Sequence, residues 1–291
     1  MTPSAVPPVP DGVSLFATPA AMAAWSGAVR ARGERVAFVP TMGALHEGHV
    51  ALLREGRRHA DRLALSIFVN PTQFAPHEDL ARYPRDLSSD LSHAAAAGVD
   101  AVFAPDRAAM YPAGHQTTVR VHEIETGMCG DTRPGHFTGV ATVVCKLFHI
   151  VQPHVAIFGE KDFQQLALIR RMVRDLDMPI EIVGLPTVRD SDGLALSSRN
   201  RFLSPEERAR AVAIPMALFA ARARFASGER DAAVLISEVR RTLVGAVDRI
   251  DYVELRDVEN LRPLEMVDRA AVFAVAVHIG STRLIDNVRL E

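Results

Sequence analysis

The chain has 291 residues, of which 48% are hydrophobic and 23% are charged, a balance typical of a folded globular protein. Its net charge of −2 disfavours broad nucleic-acid binding, and no apolar run approaches the roughly 18 to 20 residues of a membrane span. Two cysteines, Cys129 and Cys145, are too few for a disulfide scaffold, so we expect a protein of the reducing cytoplasm.

The first two-thirds of the chain alternate between strand-like and helix-like segments. Residues 1–13 are rich in Pro and Ala and predict a disordered leader rather than a signal peptide. We predict strands at about 35–40, 63–69, 101–104, 155–159 and 180–185, and helices at about 18–32, 48–60, 86–97, 137–150 and 161–176. The apolar strands indicate a Rossmann-like α/β domain over residues 14–188, with a doubly wound parallel sheet.

The pattern changes after residue 188. Ser204 and Pro205 are typical of a helix start and predict a long helix, and a second helix is expected at about 231–245. Strands are expected near 251–256, 271–278 and 283–289, with Gly280-Ser281-Thr282 as a hairpin between the last two. Residues 189–291 are therefore predicted to form a smaller C-terminal α+β domain that acts as a lid.

The most informative motif runs from Met42 to His49, between an apolar strand and a helix. A helix start offers unpaired backbone N–H groups and a partial positive charge, which favour bound phosphate. His46 and His49 are three residues apart and share a helix face, so we expect backbone amides and two imidazoles to hold a phosphate. His-x-x-His pairs also bind metals, but a structural zinc site needs about four N/S ligands and the neighbouring sequence offers no others.

Lys161 is conspicuous because only two of the 33 basic residues are lysines. It follows the strand-like run that ends at Gly159, again at a strand-to-helix junction, where ligands of α/β folds gather. A compact ammonium group is not interchangeable with a guanidinium, and this favours a functional point charge. The other lysine, Lys146, lies within an apolar helix-like run, and we assign it no function.

Three further segments carry polar candidates with equally ordinary alternatives. Asn70 and Gln73 follow the second strand, where amides near the histidines can bind hydroxyls and carboxylates, although Asn-Pro is also a common turn. Arg133-Pro134-Gly135-His136 leads into an apolar helix that either packs in the core or lines a ligand. Ser197-Ser198-Arg199 offers two hydroxyls and a guanidinium as a mobile phosphate grip at the domain boundary, or is a solvated linker.

Taken together, these motifs resemble the pantoate–β-alanine ligase family from about Val36 to Arg289. The resemblance rests on Pro-Thr-Met-Gly-Ala-Leu-His-Glu-Gly-His, Phe-Val-Asn-Pro-Thr-Gln-Phe, Arg-Pro-Gly-His-Phe, Gly-Glu-Lys-Asp-Phe-Gln-Gln-Leu and Ser-Ser-Arg-Asn. The His-x-Gly-His element alone is shared with many nucleotidyltransferases and class I aminoacyl-tRNA synthetases, whereas the last two motifs are more specific. Leu196 stands where the family usually has Met, and we expect little effect.

The resemblance implies a reaction in two steps. ATP and (R)-pantoate give pantoyl adenylate and pyrophosphate, and β-alanine then attacks the acyl carbon to give pantothenate and AMP. It also implies a homodimer, and Mg²⁺ that rides on the ATP phosphates without a dedicated protein cage, with Asp90 as a second-rank helper. The catalytic residues would be His46, Lys161 and His49, the last as proton donor to the departing phosphate.

The resemblance also implies two sets of binding residues. The ATP-binding set is Met42, Gly43, Ala44, Leu45, His46, Glu47, Gly48, His49, Gly159, Glu160, Lys161, Asp162, Val188, Leu196, Ser197, Ser198 and Arg199. The substrate-binding set is Gln73, Gln165, Asn70, Arg133, Val143 and Val144. Gln73 would meet both pantoate and β-alanine, while Met42, Val143 and Val144 would form an apolar wall for the pantoate methyl groups.

Two other functions remain open at this point. An adenylyltransferase acting on a phosphorylated substrate would need extra basic groups for the second phosphate, whereas Gln73 and Gln165 suggest a neutral hydroxyl and one carboxylate. A non-catalytic nucleotide sensor or tRNA-binding relative is the third hypothesis, and the near-neutral charge balance disfavours tRNA.

Overall fold

The computed structural model describes residues 7–75 and 78–291, and the chain divides into two compact units. The first unit comprises Met1–Arg120, Gly135–Gly159 and Ile169–Leu185, and the second comprises Val121–Pro134, Glu160–Leu168 and Pro186–Glu291. Of the predicted leader, residues 1–6 lie outside the described residues, and residues 7–13 contain neither helix nor strand.

The first unit contains a six-stranded sheet. Its strands are β1 (Ser14–Phe16), β2 (Val36–Thr41), β3 (Arg62–Ile67), β4 (Ala101–Phe103), β5 (Val155–Gly159) and β6 (Glu181–Leu185). They lie in the order β1-β4-β3-β2-β5-β6, and every pairing is parallel, which confirms the predicted sheet. Sequence analysis missed β1 because its three residues are too few to show a period.

This strand order has a reversal between β2 and β5. From β2 the chain proceeds outward through β3 and β4, and it then returns to place β5 on the other side of β2. In open α/β sheets, ligands bind beyond the carboxyl ends of the strands at such a point. The segments that leave β2 and β5 are therefore the first places in which to look for a site.

Helices follow most of the strands of this sheet. In chain order they are α1 (Pro19–Ala31), α2 (Glu47–His59), α3 (Leu87–Ala96), α4 (Arg107–Met110), α5 (Cys129–Thr132), α6 (His136–Val151) and α7 (Phe163–Asp175). Thr18 caps α1 and Pro19 occupies its first turn, in agreement with the helix predicted at about 18–32. Among residues 7–75 and 78–291, none of the helices is long and apolar enough to cross a membrane.

The core of the first unit lies on both faces of the sheet. Successive strand residues point to opposite faces, so Val39 joins a cluster with Leu53 and Ile157, while Phe38 contacts the edge of Phe148 from α6. Helices thus cover both faces of the sheet, and this explains why its strands read as continuous apolar runs.

The second unit is built on an antiparallel sheet. Its strands β7 (Arg249–Asp257), β8 (Ala271–Ile279) and β9 (Thr282–Leu290) lie in that order, and Gly280-Ser281 joins the last two as a two-residue hairpin. The hairpin and the α+β character of the tail are confirmed. Side chains of α8 (Pro205–Ala211), α9 (Ala213–Ala226), α10 (Ala232–Leu243) and the sheet share one apolar core.

The long helix predicted after Ser204 is wrong. Ser204 and Glu207 form the expected capping box at the start of α8, but α8 ends at Ala211 and α9 begins at Ala213. Pro215 has no N–H to donate to the carbonyl of Ala211, and its ring crowds the preceding turn. The proline therefore divides the predicted helix into two.

The unit boundary also differs from the predicted boundary after residue 188. The C-terminal stretch of the second unit begins at Pro186. The unit also includes residues 121–134 and 160–168 from the middle of the chain. Gln164 explains part of this, because its buried side chain accepts from the N–H of Cys129 and donates to the carbonyls of Ile124 and Gly127. Helical and strand periodicity carry no signal for such long-range hydrogen bonds.

Candidate active site

The turn between β2 and α2 carries the two histidines, and their rings help to build it. Nδ1 of His46 accepts the N–H of Gly48 at 3.1 Å, and the N–H of His46 donates to Nδ1 of His49 at 3.3 Å. The ring centroids are 4.1 Å apart. Because each Nδ1 accepts a hydrogen bond from a backbone N–H, each neutral ring carries its own proton on Nε2. Both imidazoles are therefore set up as hydrogen-bond donors through Nε2.

Asp90 fixes the rest of this turn from α3. Its side chain is 2% exposed, and its carboxylate oxygens accept the N–H groups of Ala44 at 3.0 Å and Leu45 at 2.7 Å. A Cβ on Gly43 would lie 2.7 Å from Oδ2 of Asp90, and Gly43 has a left-handed φ of 82°. Burial raises the pKa of Asp90, and the two N–H groups oppose that rise.

These contacts show what the loop amides before α2 bind. The N–H of Gly43 donates to Oγ1 of Thr41 at 3.2 Å, and those of Ala44 and Leu45 donate to Asp90. The three loop amides therefore hold the turn, and phosphate binding at the helix start itself stays a prediction. Asp90 positions the turn through both of its oxygens, and its expected help with Mg²⁺ stays a prediction as well.

Gln73 lies beside this turn, as its place at a strand end predicted. It belongs to a 3-10 turn at Pro71–Gln73 that follows β3, and its Nε2 is 3.3 Å from Sδ of Met42. Asn70 donates from Nδ2 to Oε1 of Gln73 and to the carbonyl of Gly139, both at 3.1 Å, and accepts from the hydroxyl of Tyr111 at 2.9 Å. Asn70 thus orients Gln73. The expected contact of Asn70 itself with substrate stays a prediction.

Helix α6 packs closely on the Pro71–Gln73 turn. A Cβ on Gly139 would lie 2.4 Å from the carbonyl oxygen of Thr72, so a glycine is required at this approach. Nδ1 of His136 donates to the carbonyl of Gln73 at 2.8 Å. Val143 and Val144 are both buried on the same helix. The helix therefore supports the turn, as the core-helix alternative expected.

Lys161 lies in the 3-10 turn Glu160–Asp162, directly after β5. The carboxylate of Glu160 pairs with Arg289 at 3.5 Å, and Lys161 is half-buried. The two glutamines that follow are not equivalent. Gln164 is buried and hydrogen-bonded within the second unit, whereas the predicted substrate ligand Gln165 is half-buried.

The segment from Val188 to Arg199 folds back on itself. The N–H of Leu196 donates to the carbonyl of Val188 at 2.9 Å, next to a bridge between Arg189 and Ala195. Oγ of Ser197 then accepts the N–H of Arg199 at 3.2 Å and caps a 3-10 helix. Hydrogen bonding thus places Val188 beside Leu196 and orders the segment Ser197–Arg199 that was predicted to grip phosphate. Arg133, the second-rank substrate candidate, is half-buried just after α5.

Sequence analysis missed a polar pair on β9. Asp286 and Asn287 are both buried, and Asn287 donates to the carbonyls of Glu160 and Lys161, each at 2.9 Å. The carboxylate of Asp286 accepts hydrogen bonds from both terminal nitrogens of Arg189, at 2.7 and 2.8 Å. Burial raises the pKa of Asp286, and the guanidinium opposes that rise. The available signal was two adjacent polar residues inside the last apolar strand.

The structure also bears on metal binding. Among the residues it describes, there is no group of three or more His, Cys, Asp or Glu side chains able to hold a metal ion. Mg²⁺ that arrives on the phosphates of a nucleotide, as the resemblance implies, stays a prediction.

The fold and these turns define a class of protein. A doubly wound parallel sheet with a helix start at its reversal point is the arrangement in which α/β proteins bind their ligands.

Comparison with known proteins then identifies the family. The family model described as pantoate-beta-alanine ligase matches residues 14–289. The pantothenate synthetase of Anaeromyxobacter dehalogenans is 57% identical over 283 residues, which cover 95% of this chain and 98% of that protein. The chain belongs to the pantoate–β-alanine ligase family.

Solved structures agree with this assignment. A pantothenate synthetase from Thermus thermophilus has 46% identity and a TM-score of 0.88, with 94% of this chain and 98% of the other covered. A pantoate-beta-alanine ligase from Francisella tularensis, described as complexed with beta-gamma ATP and beta-alanine, has 31% identity and a TM-score of 0.77, with 95% and 97% covered.

Proposed function

We propose that this protein condenses (R)-pantoate with β-alanine to give pantothenate, with ATP cleaved to AMP and pyrophosphate. Membership in the family supports the ligase class, and the Francisella relative, described with an ATP compound and β-alanine, supports these substrates. The observation that carries the catalytic assignment is the hydrogen bonding of Nδ1 in His46 and His49, which places the proton of each neutral ring on Nε2.

The chemistry explains why ATP is needed. A carboxylate is a poor acyl donor because oxide is a very poor leaving group. A carboxylate oxygen of pantoate attacks the α-phosphorus, and pyrophosphate leaves. The amine of β-alanine then attacks the acyl carbon, and AMP leaves with that oxygen. This route needs no covalent enzyme intermediate, so it assigns no Ser or Cys nucleophile.

The catalytic side chains act by electrostatic stabilisation. Negative charge gathers on the α-phosphate in the transition state of the first step, and preorganised donors stabilise it more than they stabilise the ground state. We assign this role to the Nε2–H groups of His46 and His49 and to the ammonium of Lys161. His49 also donates its Nε2 proton in a hydrogen bond to the departing pyrophosphate.

The proposal assigns ATP contacts to three stretches of the chain. The first is the turn from Met42 to His49. In the second, Gly159, Glu160, Lys161 and Asp162 hold the phosphates and ribose, with Asp162 on the ribose. Val188 and Leu196, Ser197, Ser198 and Arg199 complete the ATP contacts.

The substrate contacts are assigned to a smaller set of residues. Gln73 and Gln165 bind pantoate, and Gln73 also meets β-alanine. Met42, Val143 and Val144 form the apolar wall for the pantoate methyl groups, because two methyl groups require contact with apolar side chains. Asn70 holds Gln73 in place, and Arg133 remains a second-rank candidate.

Three further features belong to the proposal. Mg²⁺ accompanies ATP and neutralises phosphate charge when bound, so chelation by EDTA is expected to stop the reaction. The working assembly is a homodimer, which light scattering after size-exclusion chromatography would test. The protein acts in the cytoplasm, where free Cys129 and Cys145 stay reduced.

Mass spectrometry of a mixture of protein, ATP, Mg²⁺, pantoate and β-alanine tests the proposal. Pantothenate formed together with AMP is the expected result. ADP as the nucleotide product would overturn the adenylate route, and the absence of pantothenate would overturn the function. Exchange of labelled pyrophosphate into ATP that depends on pantoate separates this ligase from other nucleotidyltransferases.

A further inference from the structure

We propose that Asn287 is a positioning residue for Lys161, and that Asp286 and Arg189 tie the Val188–Arg199 segment to the same strand. The inference rests on the proposed function, in which Lys161 contacts ATP phosphates. All the contacts lie within the second unit, since Glu160–Leu168 and Pro186–Glu291 both belong to it.

Asn287 holds the lysine turn through two backbone carbonyls. Its side-chain Nδ2 donates to the carbonyl of Glu160 and to the carbonyl of Lys161, each at 2.9 Å. The side chain is 6% exposed, so water does not readily replace these bonds. An amide NH₂ has two protons for two acceptors, whereas the isosteric carboxylate of Asp has none. The residue type is therefore specific to this task.

Asp286 and Arg189 continue the anchor on the other side of β9. Asp286 accepts a bidentate pair from Arg189, and Arg189 donates further to the carbonyls of Asn287 at 3.1 Å and Gly193 at 2.9 Å. Bidentate charge-assisted pairs fix orientation as well as distance. Arg189 lies at the start of the folded-back segment that leads to Ser197 and Arg199. One dipeptide of β9 thus holds two separate ATP-contacting segments.

The catalytic consequence follows from the nature of lysine. Its ammonium sits on a flexible four-carbon stem, so the position of its backbone determines how well the charge reaches its target. Misplacement of a catalytic group by about 1 Å can cost on the order of 10²-fold in rate. Loss of both carbonyl bonds should therefore slow the adenylation step, in which the phosphate charge develops.

The experiment compares Asn287→Ala and Asn287→Asp with a control in the same strand. Pantoate-dependent exchange of pyrophosphate into ATP should slow by about 10- to 100-fold in both variants, while the KM for β-alanine stays unchanged. Val288→Ala is the control, because Val288 packs in the apolar core of the second unit and leaves both carbonyl bonds intact. It should lower the thermal midpoint while the folded protein keeps its exchange rate.

A double-mutant cycle with Lys161→Ala separates positioning from a general loss of structure. If Asn287 acts through Lys161, adding Asn287→Ala to Lys161→Ala should slow exchange by less than about 3-fold. A full multiplicative loss, or equal slowing in Val288→Ala, would overturn the inference. An inactive wild-type protein would instead overturn the proposed function. Should Asn287→Asp fail to fold, Asn287→Ala still decides the outcome.

Discussion

The two turns that carry the proposed catalytic groups are held in different ways. In the turn after β2, the proposed catalytic rings of His46 and His49 themselves cap α2, and each ring binds a backbone N–H no more than three residues away. In the turn after β5, the backbone of Lys161 is held by Asn287, which is 126 positions away, and the ammonium takes no part in those two bonds.

In the turn after β5, the contacts that hold the backbone are separate from the proposed catalytic group. In the turn after β2, the same two rings hold the backbone and are the proposed catalytic groups. A histidine substitution removes a donor to the ligand and also a hydrogen bond of the helix start. A lysine substitution removes the ammonium and its stem but leaves the carbonyls of Glu160 and Lys161 bound to Asn287. The two turns should therefore respond differently to mutation. The first two of the four predictions below test this, and the other two concern contacts outside these turns.

The largest effect is expected from His49→Ala and Lys161→Ala. Each should slow adenylation by a factor on the order of 10² to 10⁴, the range expected for acid–base and electrostatic groups. Pantoate-dependent pyrophosphate exchange measures the rate, and thermal unfolding measures stability. His49→Ala should also lower the midpoint, because His49, unlike Lys161, accepts a backbone N–H of the helix start. Unchanged exchange in either variant would remove that residue from the chemistry.

The next prediction splits the two roles of His46. His46→Asn keeps a side-chain acceptor at the helix start, since Asn is a preferred capping residue, but removes Nε2–H. His46→Ala removes both. We expect both variants to slow exchange by about 10²-fold and only His46→Ala to lose about 1 kcal/mol of stability.

Denaturant unfolding of the two His46 variants provides the comparison. Equal stability of His46→Asn and His46→Ala would show that the ring does not cap α2. Wild-type exchange in His46→Asn would show that Nε2–H plays no part in the reaction.

A smaller effect is expected where α6 meets the Gln73 turn. Gly139→Ala would place a Cβ 2.4 Å from the carbonyl of Thr72, so we expect a loss of about 1 to 3 kcal/mol from overpacking. Gly27→Ala in α1 is the matched control, because nothing lies within 4 Å of its added Cβ. Helix propensity should stabilise that variant by up to about 1 kcal/mol. Opposite signs in urea unfolding are expected, and equal signs would contradict the close approach.

The smallest effect lies at the amino ends of the strands, away from both turns. Hydrogen bonds from Arg32 and Arg62 lower the pKa of Glu34 to about 2. An acid with a lowered folded-state pKa stabilises the protein above its unfolded pKa of about 4.5 and loses that contribution as pH falls toward 2. The midpoint of Glu34→Gln should therefore lie slightly below wild type at pH 6 and converge with it near pH 2.

Thermal unfolding across this pH range checks the Glu34 prediction, and exchange activity at neutral pH should be unchanged. A stability difference that widened toward pH 2 would show that the ion pairs do not lower this pKa in solution. Wild-type activity would confirm that the effect is confined to stability.

The same contrast between local and long-range contacts explains how much of the fold and the site could be predicted from the sequence. The parallel sheet and the turn with His46 and His49 were predictable, because apolar periodicity and a helix start are local signals. The division of the predicted long helix ahead of Pro215 also has a local signal, because proline lacks the N–H that a continuous helix needs. The tasks of Asp90 and Asn287 were not predictable, because their partners lie 45 and 126 positions away.

Isotope transfer from pantoate tests the central claim most directly. With both carboxylate oxygens of pantoate labelled with ¹⁸O, attack of the carboxylate on the α-phosphorus predicts one labelled oxygen in AMP and one in the amide carbonyl of pantothenate. Unlabelled AMP, or label recovered in inorganic phosphate or pyrophosphate, would contradict the adenylate route and the roles given to His46, His49 and Lys161.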